Sequence, residues 1–149
     1  MNRHPHLRAY MAGIALPTAF LLVALAAFCV GRFVMQIPVP IERVIVFPMA
    51  LIPNLWGVWN MVYTALRKRH RWDIGLHGAI LTAILAPIGY VGGTLLGFLK
   101  TTAQGFTYFD AVHVPFARIG IILPVVIAIY YLAWKYVVGF LNRVVEIGE

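Results

Sequence analysis

The sequence contains very little charge. Only 11% of its 149 residues are charged, whereas 62% are hydrophobic. A soluble globular domain has about 25% charged residues, and one soluble core of this size cannot bury so many apolar side chains. The scarcity of charge therefore excludes an ordinary soluble domain and predicts one integral membrane domain that comprises residues 1–149.

Residues and motifs that carry chemistry are also scarce. Cys29 is the only cysteine, so an internal disulfide is excluded. The sequence has no phosphate-binding glycine loop, nucleophile elbow, His-Glu-x-x-His or Cys-x-x-Cys motif. We therefore assign no catalytic residue, no metal site and no cofactor. Enzymatic activity stays open, but nothing in the sequence favours it.

What the sequence does contain is four long apolar runs, of which the last is interrupted by Lys135. Each is longer than the ~20 residues that a helix needs to cross ~30 Å of hydrocarbon. The runs must be helical, because lipid offers no hydrogen-bond partners to an open strand. The predicted fold is an all-α, antiparallel four-helix transmembrane bundle with spans at about 10–30, 44–66, 74–99 and 118–141.

The lysines and arginines predict the orientation of these spans. Cytoplasmic segments carry more of them than external ones. One side has eight: Arg3, Arg8, Arg67, Lys68, Arg69, Arg71, Lys135 and Arg143. The other side has four: Arg32, Arg43, Lys100 and Arg118. Both termini are then cytoplasmic, and we expect a multi-pass protein of a prokaryotic inner (plasma) membrane. Because the basic residues follow the span ends, nucleic acid is not an expected partner.

A cleavable signal peptide is the alternative interpretation of the first span. Asn2–Arg8 is a basic segment, and Ala24–Leu25–Ala26 resembles a cleavage site after an apolar stretch. Apolar residues nevertheless continue to Val30, which favours an uncleaved span. Cleavage would leave three spans.

Small residues recur on one face of each predicted span, where they let helix backbones approach closely in lipid. They include Gly13 in the first span and Gly57 in the second. In the third span they are Gly78, Thr82, Gly89, Gly92 and Gly93. In the fourth span the face continues through Tyr131, Lys135, Gly139 and Asn142. We predict that these faces form the interior of the bundle; a pore lining is the alternative.

A small set of polar and aromatic residues inside the spans forms the candidate ligand-binding site: Asn54, Trp56, Trp59, Asn60, Tyr131 and Lys135. An aromatic wall with amide donors suits a lipid or quinone headgroup, whereas interfacial aromatics and one interhelical hydrogen bond would explain the same residues without a ligand. Lys135 has no acidic partner within the spans. Its ammonium either extends to the interface or binds an anionic headgroup.

These observations favour a small non-enzymatic membrane protein, either an accessory or scaffold protein or a lipid-binding subunit of a membrane complex. The expected partners are membrane lipids, including anionic headgroups, and other membrane subunits or further copies of the chain. One alternative is an oligomeric transporter or channel that uses Lys135 and Asn60. Another is a membrane-embedded enzyme that uses Asp73–His77 or Asp110–His113, although each Asp has an ordinary explanation, as a helix cap or in a solvated loop.

Overall fold

A computed structural model of the chain describes residues 4–37, 47–67, 69, 72–108, 110 and 112–146. The start of the second predicted span and the prolines before it (Pro38 and Pro40) lie outside these residues. So do Lys68, His70 and Arg71 of the basic loop. The chain divides into two compact units. Unit 1 comprises Met1–Trp72 and Tyr136–Glu149, and unit 2 comprises Asp73–Lys135.

The described part of the chain is mostly helical. Its α-helices are α1 (Pro5–Cys29), α2 (Phe47–Leu66), α3 (Ile74–Leu95), α4 (Phe116–Leu132) and α5 (Gly139–Val144). A π-helical segment, Val30–Val34, follows α1, and another, Ala133–Val138, joins α4 to α5. Within the described residues, three helices are long and apolar enough to cross a membrane: Pro5–Val34, Ile74–Leu95 and Phe116–Val144. These helices support the predicted membrane class.

The second predicted span is helical but is not among those three helices. Residues 44–46 of this predicted span lie outside the described part of the chain. Pro53, Asn54 and Asn60 also lower its hydropathy. A four-span bundle therefore remains a prediction.

The all-α class needs a correction, because the third span ends early and a small sheet follows it. Helix α3 ends at Leu95, not at Leu99. The sheet has three antiparallel strands in chain order: β1 (Leu99–Thr101), β2 (Gly105–Tyr108) and β3 (Val112–Pro115). The register pairs Leu99 with Tyr108 and Gly105 with Pro115. The connection between α3 and α4 therefore contains a folded β-sheet.

In unit 1, α1 packs closely against α2, and α5 also contacts α1. Two glycines make the close approach possible. A Cβ at Gly13 would lie 2.7 Å from Trp56 O, and one at Gly57 would lie 2.7 Å from Ile14 Cγ2. A larger residue at Gly13 would meet the backbone of α2 and separate the two helices, whereas one at Gly57 would have to displace the side chains of Tyr10 and Ile14. The small-residue prediction is therefore correct for Gly13 and Gly57.

In unit 2, α3 packs against α4 around Gly78. A Cβ at Gly78 would lie 2.6 Å from both the indole of Trp134 and Tyr130 O. Trp134 is completely buried. The predicted stripe on α3 needs one correction: Gly89 is exposed, and a Cβ there would meet no atom within 4 Å. The packed face of α3 turns away from Gly89, so only part of the stripe is interior.

Candidate functional site

An apolar groove with a volume of about 370 Å³ lies in unit 2 between α3, α4 and the sheet. Its lining residues are Thr82, Leu85, Ala86, Phe106, Tyr108, Val114, Ile119, Ile122, Leu123, Val126 and Tyr130. The groove is open along one side, where Ile122 and Leu123 are 51% and 41% exposed. Thr82 adds little polarity, because its hydroxyl donates to Gly78 O at 3.2 Å. The groove therefore suits a hydrocarbon ligand.

The spacing of the lining residues on α4 sets the length of the groove. Ile119, Val126 and Tyr130 mark one face of that helix. The eleven steps from Ile119 to Tyr130 correspond to about 16 Å along a helix. Half of a hydrocarbon core of about 30 Å is about 15 Å. The groove is thus about as long as one leaflet is deep.

Aromatic residues cluster at the end of the groove next to the sheet. The Phe106 ring of β2 lies 5.6 Å from the Tyr90 ring of α3 and 5.4 Å from the Phe116 ring of α4, centroid to centroid. Tyr90 Oη also lies 3.1 Å from Thr101 Oγ1 of β1, within hydrogen-bond distance. Aromatic rings of this kind are common where a membrane helix meets the headgroups. Through Phe106 and Thr101 the sheet is fixed to α3 and α4, and it forms one wall of the groove.

Charged residues lie at the same end of unit 2. Lys100 Nζ donates to both carboxylate oxygens of Asp110 at 2.7 Å. Arg118, in the first turn of α4, is exposed, and its guanidinium has no hydrogen bond or ion pair with any residue that the structure describes. Lys100 is therefore neutralised within unit 2, whereas Arg118 remains an uncompensated positive charge among the described residues.

The candidate residues on α2 lie in unit 1, and Asn60 is the most enclosed of them. Asn60 and Asn142 exchange side-chain hydrogen bonds of 2.8 and 3.0 Å. Asn60 Nδ2 also donates to Ala9 O at 2.7 Å. Asn60 is 0% exposed and Asn142 is 4% exposed. In this conformation both amides serve the packing of α1, α2 and α5, and a ligand could reach them only if the helices opened.

The remaining α2 candidates differ in environment. Asn54 is exposed, accepts a hydrogen bond from Tyr10 Oη and donates to Ala50 O at 2.6 Å. Trp56 is 4% exposed, and its backbone oxygen lies against Gly13. Trp59 is half-buried. Trp56 is thus enclosed and Asn54 is oriented by Tyr10, and ligand binding by these side chains stays a prediction.

The candidates on the fourth predicted span, Tyr131 and Lys135, lie in unit 2 and contact Asp73, an acid that the sequence argument did not consider as a partner of Lys135. Tyr131 Oη donates to Asp73 Oδ2 at 2.6 Å, and Lys135 Nζ donates to Tyr131 Oη at 3.2 Å. Lys135 Nζ is also 3.5 Å from Asp73 Oδ2. Asp73 immediately precedes α3, which explains why a search for acids within the spans missed it.

Asp73 is also the N-cap of α3, as the sequence predicted: its Oδ1 accepts a hydrogen bond from Gly75 N at 3.3 Å. The hydrogen bond from Tyr131 is the largest influence on its carboxylate and lowers the pKa of Asp73 below the ordinary value. Partial burial opposes this shift, and the positive charge of Lys135 reinforces it. Asp73 is thus an ionised partner for Lys135 at neutral pH.

In both acid–histidine pairs, the structure shows the acid bonded to another residue. Asp73 bonds to Tyr131, and His77 is buried in α3. Asp110 pairs with Lys100, and His113 Nδ1 lies 3.3 Å from Thr107 Oγ1. Within the described residues, no group of three or more His, Cys, Asp or Glu side chains is placed to hold a metal ion.

Sequence reasoning missed the groove, because its walls come from two helices and a sheet that are distant in the chain. One signal was available: Ile119, Ile122, Leu123, Val126 and Tyr130 recur at helical spacing on a single face of α4. In a chain this apolar, however, such spacing does not separate a groove wall from a lipid-facing surface. No protein-family model, curated protein or solved structure matches this chain.

Proposed function

We propose that this chain is a non-enzymatic, multi-pass integral membrane protein that binds the acyl chain of a membrane lipid in the groove of unit 2. The groove carries the proposal. It is apolar, open along one side, and bounded by two helices that are each long and apolar enough to cross a membrane. In a bilayer, the opening would face hydrocarbon, so a chain could enter without first crossing water.

The length of the groove favours an acyl chain over a transmembrane helix as the occupant. A partner helix would extend across about 30 Å of hydrocarbon and is about 10 Å wide. The groove is only about 16 Å long, by the helical rise, and its volume is about 370 Å³. One lipid chain that enters through the open side, with its headgroup at the sheet end, matches this length.

The membrane topology and the role of the protein are part of the same proposal. The protein would cross a prokaryotic inner membrane four times, with both termini in the cytoplasm, and would act as an accessory or scaffold subunit that holds lipid within a membrane complex. The contacts of Asn60 and Lys135 support this role over transport. Asn60 is enclosed by Ala9 and Asn142, and Lys135 is engaged with Tyr131 and Asp73.

The test is photolabelling of the purified full chain in nanodiscs with a phospholipid that carries a diazirine in the middle of one acyl chain. We expect label on Leu85, Ile122 and Val126, located by tandem mass spectrometry. Ala86→Phe should strongly reduce that label, because the ring occupies the groove. Ala128→Phe is the matched control, since Ala128 is exposed on the opposite side of α4.

The labelling pattern also gives the result that would overturn the proposal. Even label along α4, including residues outside the groove such as Val125, would mean that lipid coats the helix without a site. Equal label at Val126 in wild type and Ala86→Phe would lead to the same conclusion.

A further inference from the structure

Arg118 lies where the headgroup of a groove-bound lipid would be. It directly precedes Ile119, the first groove residue on α4, and it is four residues, about one helical turn, before Ile122. Helical side chains lean toward the N-terminus of their helix. The guanidinium of Arg118 therefore extends beyond the apolar groove toward the interface.

Arg118 differs from Lys100, another cation at this end of unit 2, in whether its charge is compensated. Lys100 is held by both oxygens of Asp110 at 2.7 Å and is electrically compensated. Arg118 is exposed and makes no ion pair with the residues that the structure describes. A guanidinium is a planar fork of donors that fits two phosphate oxygens at once. Arg118 is thus complementary to the phosphate of a lipid.

We infer that the ligand of this groove is an anionic phospholipid, with one acyl chain between α3 and α4 and its phosphate on Arg118. This inference rests on the proposed function, because without a bound chain Arg118 would be only an interfacial charge. The anionic class follows from the charge balance. A zwitterionic headgroup would bring its own cation close to Arg118, whereas phosphatidylglycerol brings none.

The experiment measures lipid affinity by native mass spectrometry of the full chain in detergent. The probes are phosphatidylglycerol and phosphatidylcholine with identical acyl chains. We expect tighter binding of phosphatidylglycerol to wild type, and about fivefold weaker binding to Arg118→Gln. That factor corresponds to about 1 kcal/mol for one arginine at a membrane surface. Arg118→Lys should fall between the two, because it keeps the charge and loses the fork.

Arg143→Gln is the control for overall charge, since Arg143 is exposed in α5, in unit 1. It should bind phosphatidylglycerol as wild type does. Equal losses in Arg118→Gln and Arg143→Gln would show non-specific attraction and would overturn the inference. Unchanged binding to Arg118→Gln would also overturn it.

Photolabelling separates this inference from the proposed function. If Arg118→Gln binds phosphatidylglycerol like wild type while Val126 is still labelled and Ala86→Phe removes the label, the groove holds a chain and the headgroup assignment is wrong. If Ala86→Phe leaves the label unchanged, the groove itself is not the site, and the proposed function fails together with the inference.

Discussion

Asn60 and Asn142 form the most enclosed polar contact in the described part of unit 1. Each amide donates to the other, and Asn60 also donates to Ala9 O, so three helices share one small network. Apolar side chains slide past each other at little cost in lipid, whereas paired amides hold one register. The asparagine that the sequence offered as a ligand contact is therefore explained by the alignment of α1, α2 and α5.

Asn60→Leu should destabilise the protein by about 1–3 kcal/mol, because it leaves a buried amide and a buried carbonyl without their partner. Asn142→Leu should cost a similar amount. The double variant should cost clearly less than the sum of the two, since each single change already breaks the same pair. Unfolding of the full chain in detergent, followed by circular dichroism, measures all three variants.

Asn54→Leu is the matched control, because Asn54 is exposed and its loss leaves no enclosed group. We expect a smaller effect there. Strictly additive losses at Asn60 and Asn142 would contradict the proposed coupling.

Asp73 provides a prediction about pH. The pKa of Asp73 is lowered, first by the hydrogen bond from Tyr131. A folded-state pKa below the unfolded value stabilises the fold above the ordinary pKa of 3.8, and this contribution is lost as pH falls from there toward the lowered value. The side chain is 43% exposed, so we expect the effect to stay below about 1 kcal/mol.

Wild type should therefore be more stable than Asp73→Asn at pH 7, and the difference should disappear well below pH 3.8. Asparagine keeps a capping oxygen for α3, so the comparison isolates the charge. Tyr131→Phe removes the main cause of the shift and should weaken the same pH dependence. Thermal unfolding in detergent at several pH values measures it; a pH-independent difference would mean that the charge of Asp73 does not contribute.

Among the elements, the contact between α3 and α4 depends on a glycine opposite a tryptophan. The backbone of α3 lies so close to α4 at Gly78 that Trp134 and Tyr130 O occupy the space of a side chain. Gly89, on the same helix, has open space around its Cα. The same substitution by alanine can thus be compared at a packed glycine, Gly78, and at an exposed one, Gly89.

Gly78→Ala should destabilise unit 2. Overpacking costs about 1–3 kcal/mol, and one atom in the way is a backbone oxygen that cannot rotate aside. Alanine favours a helix over glycine by about 1 kcal/mol, so we expect a net loss of up to about 2 kcal/mol. Gly89→Ala has the higher helix propensity of alanine without any overpacking, so it should be neutral or slightly stabilising. Unfolding in detergent compares the two; equal effects would show that α3 does not pack on α4 through Gly78.

The π-helical segment Ala133–Val138 shows where helical periodicity stops predicting which residues are buried. An ideal α-helix places Lys135 on one face with Tyr131 and Asn142, as we predicted. A π-helical turn has more residues per turn and shifts that face. In the structure Trp134 is 0% exposed, whereas the side chain of Lys135 is 42% exposed. No local sequence pattern indicates the π-helical turn.

Local patterns predicted other features well. The Asp73 cap and the apolar helices follow from spacing within one segment. The sequence did not predict the sheet, because its strands have only three or four residues and lie between helices that dominate the hydropathy. The groove and the Asn60–Asn142 pair did not follow either, since each joins elements that are distant in the chain. A single sequence predicts individual helices far better than it predicts which elements pack against each other.

At the scale of the whole molecule, the number of spans depends on α2. Three other helices are long and apolar enough to cross a membrane. A helix of 20 residues such as α2 is about 30 Å long, which just matches the hydrocarbon core. If α2 crosses the membrane, Arg3 and Arg8 lie on the same side as Arg67 and Arg69, as the distribution of positive charge favours. If α2 does not cross, the two basic groups lie on opposite sides.

Labelling of single cysteines from one side of sealed vesicles decides between three and four spans. In a Cys29→Ser background, cysteines replace His6, Arg69 and Gln104, which are all exposed. We expect His6→Cys and Arg69→Cys to react from the cytoplasmic side and Gln104→Cys from the opposite side, because both α2 and α3 cross. A three-span protein would instead place His6→Cys and Gln104→Cys together, opposite Arg69→Cys. That pattern would contradict the four-span bundle and leave α2 on the bilayer surface, while the groove between α3, α4 and the sheet would keep its place in the leaflet on the Gln104 side.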